Sequence, residues 1–113
     1  MIDCLFCKII RGEIPAQLVF EDEKSVVFND INPQAPTHVL VVPKKHIASL
    51  SSSSDDEAPL LGHLQRVARQ AAVLLGVSEA FRLVTNNGRG AGQSVDHLHY
   101  HLLGGRPMKW PPG

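Results

Sequence analysis

Three of the six histidines in this 113-residue chain fall in one short run, His97-Leu98-His99-Tyr100-His101. In a strand, alternate side chains share a face. The three imidazoles would then project one way, and Leu98, Tyr100 and Leu102 the other way, into a core. A helix would scatter the imidazoles around its circumference, and the apolar alternation also favours a strand. Such a face supports two chemistries. Neutral imidazoles bind Zn, Cu or Ni. Alternatively, one imidazole attacks phosphorus while its neighbours donate to phosphoryl oxygens. The stretch just upstream, Asn86-Asn87-Gly88-Arg89-Gly90-Ala91-Gly92, favours phosphate. Its glycines allow backbone N–H groups to converge on an anion, and Gln93 and Ser94 add side-chain donors. Alone, such a loop is more often a plain turn; beside the histidine run it points to a phosphate site. The only two cysteines form Cys4-Leu5-Phe6-Cys7. That spacing suits a metal or redox pair in a reducing compartment, not a disulfide framework.

These groups need elements to hold them. Phe6, Ile9 and Ile10 share a helical face, so the spacing predicts one or two helical turns over residues 5–11, ending at Gly12. Strands are expected at 17–20 and 25–29, joined by a turn at 21–24. Pro33 and Pro36 make residues 32–36 a rigid loop. A third strand spans 38–42 and is closed by Pro43. Ser54 and Glu57 fit a capping box. It opens a long helix over 55–75, with Leu60, Leu61, Leu64, Val67, Ala68, Ala71 and Leu74 at helical spacing and Gly76 as its stop. Further strands are expected at 81–85 and 97–103. The sum is an α+β fold with a five-stranded antiparallel sheet, one short helix and one long helix, in a single domain over residues 1–113.

Composition sets the outer bounds. Hydrophobic residues make up 43% and charged residues 19%, which excludes a disordered tail. The 11 basic residues balance 11 acidic ones, so no basic excess exists to drive nucleic-acid binding. No run approaches the ~20 apolar residues of a membrane span; Val39-Leu40-Val41-Val42 stops at Pro43. Met1-Ile2-Asp3-Cys4 lacks the basic region and apolar core of a signal peptide. The expectation is a soluble, cytoplasmic protein.

The run His97-Leu98-His99-Tyr100-His101-Leu102-Leu103 resembles the signature of the histidine triad (HIT) superfamily, in which three histidines alternate with apolar residues. Phe28-Asn29-Asp30-Ile31, Gln34-Ala35-Pro36-Thr37-His38, Pro43-Lys44-Lys45-His46-Ile47, Gly92-Gln93-Ser94-Val95 and Trp110-Pro111-Pro112-Gly113 extend the likeness over nearly the whole chain. They resemble the Hint branch, whose members hydrolyse purine nucleoside phosphoramidates. Two positions depart: Tyr100 replaces a usual aliphatic, and Asp96 stands where related chains often carry an aromatic, which alters the rim of the site.

The resemblance implies that His99 attacks the α-phosphorus, giving a nucleotidyl-histidine that water then releases as the nucleoside monophosphate. It implies that the His97 carbonyl fixes the His99 tautomer, and that His38 supports the triad. His101, Ser94 and the backbone at Gly92 and Gln93 would bind phosphoryl oxygens, with Ser94 also helping the leaving amine. Asn86 would contact the phosphate or the 5′ oxygen, Asp30 with Ile31 would hold the ribose, and Phe28 with Leu18 would form the base slot. Without the likeness, Asp30 reads as a turn residue before Asn32-Pro33. Catalysis in this family needs no cofactor. Some members carry a structural zinc, whose ligands here would be Cys4, Cys7, His46 and His97. A homodimer with a ten-stranded sheet is implied, with Trp110 reaching toward the partner's leaving-group side. The ligands would be AMP and adenosine phosphoramidates, with no nucleic acid or membrane partner. Adenylyl sulfate, acyl adenylates and dinucleoside polyphosphates are alternative substrates. A nucleotide-binding regulator with vestigial activity is the non-enzymatic alternative, against which the intact His99 argues. Turnover of an adenosine phosphoramidate separates the two.

Overall fold

The computed structural model describes residues 4–113; the part of the N-terminal leader reading that concerns residues 1–3 lies outside them. In chain order the elements are α1 (Leu5–Ile10), β1 (Leu18–Glu21), β2 (Ser25–Asn29), β3 (Thr37–Pro43), α2 (Ala58–Leu74), β4 (Phe81–Val84) and β5 (Tyr100–Gly104). Single 3-10 turns occupy Leu50–Ser52, Asp55–Glu57 and Arg89–Ala91. The strands form one five-stranded antiparallel sheet in the order β1-β2-β3-β5-β4.

Alternation along the strands divides the core in two. Val27, Val39 and Val41 pack against Leu64, Val67, Ala68 and Ala71 of α2. Their neighbours Val26, Phe28, Leu40 and Val42 face the other side and pack against Cys4, Phe6 and Cys7. The short α1 covers only part of that second face. The expected capping box forms, with the Glu57 carboxylate accepting from the Ser54 N–H at 2.8 Å, but it opens the 3-10 turn Asp55–Glu57, which leads into α2 at Ala58. It ends at Gly76, whose φ of +75° lets the chain turn so that Val77 N–H donates to Ala72 O.

One expected boundary is corrected. The strand predicted from His97 begins at Tyr100, because the β3–β5 ladder stops at the Val41–Tyr100 pair. At the end of β3, Pro43 has no N–H to offer a partner. Leu98 N–H donates to Ile47 O instead. The alternation nevertheless holds through the extended approach: Leu98, Tyr100 and Leu102 join the α2-side core.

Candidate active site and metal-binding cluster

The face that α1 leaves uncovered carries the histidines. In the β3–β5 register Leu40 lies opposite His101. His38, two residues before Leu40, is then a diagonal neighbour of His101 on the same face. Hydrogen bonds fix the tautomer of each ring. Gln34 N–H donates to His38 Nδ1 at 2.9 Å, so the His38 proton sits on Nε2. It is donated to His101 Nδ1 at 2.9 Å. The remaining His101 proton is therefore on Nε2. His97 Nε2–H donates to Pro43 O at 2.8 Å, leaving its Nδ1 bare. His99 Nδ1–H donates to the His97 carbonyl at 2.7 Å, which leaves His99 Nε2 as an unprotonated lone pair.

Burial keeps these rings neutral. It lowers His38 and His99 against the opposing pull of the Asp30 charge. Burial, reinforced by His99 and His38, brings His101 down to about 4. A neutral imidazole is what a nucleophile for an anionic phosphorus centre requires.

The cavity in front of these groups has a volume of about 620 Å³ and is lined by Phe28, Asp30, Ile31, Ser94, His99 and His101, among others. Asp30 Oδ1 accepts from Asn32 N–H, so the turn reading also holds, while Oδ2 faces the histidines. Leu18 does not line the cavity and is half exposed. The register sets Leu18 opposite Phe28, yet Gln17, the residue before it, lines the cavity in its stead. The apolar wall comes from Leu5, Phe6, Ile9, Ile14 and Pro15, which sequence reasoning had not put in the slot. The shared helical face of Phe6 and Ile9 was the one available signal. Phe6 presents its edge to Phe28 and His99, with ring centres 5.5 and 5.0 Å away.

In the glycine-rich loop, two of the backbone donors expected at the phosphate instead bond within the loop. Gly92 N–H donates to Arg89 O and Gln93 N–H to Gly88 O, so these donors close the loop on itself. The Gln93 side chain is buried and fully used, donating to Ala48 O and Val95 O and accepting from Gly88 N–H. Asn86 lies beside Gly92, whose φ of +96° favours glycine there. Neither Asn86 nor Gly92 lines the cavity; of the segment, Ser94 and Val95 do. Asp96 pairs at the rim with Arg89, whose guanidinium also donates to Ser94 O. Trp110 is largely exposed in the single chain.

A second cluster lies behind His99. The ligand atoms of Cys4, Cys7, His46 and His97 all lie within 4.8 Å of one another. Cys4 Sγ is 3.3 Å and Cys7 Sγ 3.6 Å from His97 Nδ1, Cys7 Sγ is 3.4 Å from His46 Nδ1, and the two Nδ1 atoms are 3.1 Å apart. Tetrahedral zinc, with Zn–S near ~2.3 Å and Zn–N near ~2.0–2.1 Å, requires S···N edges of about 3.5 Å and an N···N edge of about 3.3 Å. The residues therefore fit the ion. The Pro43 carbonyl, by holding the His97 proton on Nε2, turns the bare Nδ1 into the cluster as a ligating imidazole requires.

Comparison with known proteins agrees with this geometry. Residues 11–108 match the HIT domain family. An uncharacterized HIT-like protein of Synechocystis is 54% identical over 111 residues, covering 98% of this chain and 97% of the relative. The crystal structure of a HIT family hydrolase from Legionella pneumophila superposes with a TM-score of 0.96 at 54% identity, over 98% of this chain and 100% of that one. A histidine triad nucleotide-binding protein from Candida albicans superposes with a TM-score of 0.82 at 38% identity, over 96% of this chain and 83% of that one.

Proposed function

The chain belongs to the HIT domain family, and from that membership we propose that it hydrolyses purine nucleoside 5′-phosphoramidates through a nucleotidyl-His99 intermediate. The observation that carries this reading is the 2.7 Å bond from His99 Nδ1–H to the His97 carbonyl, which leaves His99 Nε2 bare on a ring that lines the cavity. In the first displacement His99 Nε2 bonds to phosphorus as the P–N bond breaks. The amine leaves with a proton supplied on the His101 and Ser94 side. In the second, water attacks phosphorus, the His99–P bond breaks and AMP is released, the proton of the water replacing the one lost. His101 Nε2–H and Ser94 serve both steps as phosphoryl donors. Asp30 and Ile31 bracket the ribose, and Phe28, Phe6, Ile9 and Ile14 form the base slot.

Zinc on Cys4, Cys7, His46 and His97 would supply no chemistry at phosphorus; its contribution is to hold the His97 ring, and with it the carbonyl that orients His99. The chain would work in the cytoplasm as a homodimer. Among the described residues no helix is long and apolar enough to cross a membrane. β4 lies at a sheet edge, and Phe81, Val73 and Leu74 are exposed, which supports a second copy adding its sheet at that edge. Release of a fluorogenic amine from its adenosine 5′-phosphoramidate tests the activity. Binding of AMP without turnover would contradict it.

A further inference from the structure

Asp30 stands in an arrangement that a ribose clamp alone does not require. Its Oδ2 is 3.4 Å from His38 Nε2 and 3.9 Å from His101 Nδ1, while those two nitrogens are 2.9 Å apart. The loop is built to hold this geometry. Asp30 N–H donates to His38 O, Asn32 N–H to Asp30 Oδ1, and Gln34 N–H to His38 Nδ1. The last bond also argues against a cation on Asp30, His38 and His101, because it keeps a proton on His38 Nε2 where a metal would need the lone pair. The groups that face His101 and can carry charge are His99 from its own segment, His38 from β3 and Asp30 from the loop after β2.

With the rings neutral, one proton lies between His38 and His101 and Asp30 is a spectator. The neutral pair makes a poor acid, since giving up the His101 Nε2 proton would leave an anion beside the Asp30 carboxylate. A further proton would set two N–H groups against each other across the 2.9 Å gap, and Asp30 Oδ2 is within reach of both nitrogens to accept from one. We propose that Asp30 is the counter-ion of the His38–His101 pair: the pair takes up one proton from solvent when the phosphoryl anion binds, and His101 Nε2 passes a proton to the departing amine. Donation leaves the His101 proton on Nδ1, facing His38 Nε2–H, with Asp30 Oδ2 accepting from one of the two. The water that attacks phosphorus in the second displacement returns a proton to His101 Nε2, and the pair regains its neutral state, with one N–H between the rings, when the Nδ1 proton goes back to solvent as product leaves. Asp30 is thus a positioning residue that acts through His101, in addition to any contact with the ribose. This rests on the phosphoramidase reading for the identity of the proton acceptor, though not for the proton uptake.

The test separates the two roles of Asp30 by removing the ribose hydroxyls. The pH dependence of kcat is measured for wild type and Asp30→Asn with an adenosine 5′-phosphoramidate and with its 2′,3′-dideoxy analogue. Asparagine keeps the Oδ1 acceptor for Asn32 N–H, so the loop is retained. Activity requires the protonated pair, so it falls as pH rises through the pair's pKa in the complex. Removing a negative charge ~4 Å away moves that fall to lower pH by about 1–3 units, with both substrates. An Asp30→Asn profile unchanged on the dideoxy substrate would overturn the proposal and leave Asp30 as a ribose clamp only. Should wild type turn over neither substrate, the phosphoramidase reading fails, and calorimetric AMP titrations in buffers of different ionisation enthalpy decide the remainder. Greater proton uptake by wild type than by Asp30→Asn sustains the counter-ion role; equal uptake overturns it.

Discussion

His101 shows how one residue can serve both fold and site. Its ring faces the cavity, yet burial and the neighbouring His99 and His38 hold it near 4, against an ordinary histidine value of 6.5. An unfolded chain has no such restraint. Between pH 6.5 and 4 the unfolded state therefore binds more protons at this residue than the folded state does. The resulting stability is present above pH 6.5 and is lost as pH falls toward 4. The full effect, discounted for the partial solvent exposure of the ring, is on the order of 2–3 kcal/mol. His101→Gln removes the titrating group, so its melting temperature should decline less steeply between pH 7 and 4 than that of wild type. Parallel curves for the two proteins would show that the ring is not held neutral by its surroundings.

Among the elements, α1 carries more than its length suggests. Its flanking Cys4 and its own Cys7 belong to the metal-binding cluster, while Leu5, Phe6 and Ile9 wall the cavity. The cluster also contains His97, whose carbonyl orients His99. Cys4→Ser should consequently purify without the one zinc per chain expected of wild type, melt at lower temperature and bind AMP more weakly through a loosened α1. Zinc-free wild-type protein with the stability of the variant would remove the metal from the account. Much of this was legible in the residues. The alternation around Leu98, Tyr100 and Leu102 gave the core face of the histidine run, and Ser54 with Glu57 gave the 3-10 turn that leads into α2. What the residues could not disclose depended on partners distant in sequence or on the backbone. Nothing in Gln34 or Pro43 announces that an N–H from one and a carbonyl from the other set the tautomers of His38 and His97. Composition made the glycine-rich loop look like an anion cradle, and it could not disclose that the N–H groups of Gly92 and Gln93 bond to Arg89 O and Gly88 O within the loop. Leu18 is apolar and pairs with Phe28 in the sheet, but Gln17 and not Leu18 lines the opening.

For the whole molecule, the homodimer proposed above would bring a second surface to the C-terminal tail. The tail is anchored on its own protomer where Arg82 donates to Lys109 O. Beyond that point Trp110 projects with 82% of its surface exposed. A large aromatic so placed contributes most when a second surface covers it. Removing residues 107–113 should change the ratio of kcat/KM between bulky and small amine leaving groups more than it changes AMP affinity, because Asp30, Ser94 and the histidines lie elsewhere. An unchanged ratio would count against the tail as a specificity element, whatever scattering reports about the dimer.

The central claim is that His99 forms a bond to phosphorus. It is tested most directly by quenching the protein in acid-free denaturant during turnover of an adenosine 5′-phosphoramidate and mapping the adduct by mass spectrometry. The account predicts one nucleotidyl group per site, carried on the ring of His99, with neither adduct nor turnover in His99→Ala. Wild-type turnover by that variant, or a nucleotidyl group found on another residue, would contradict it.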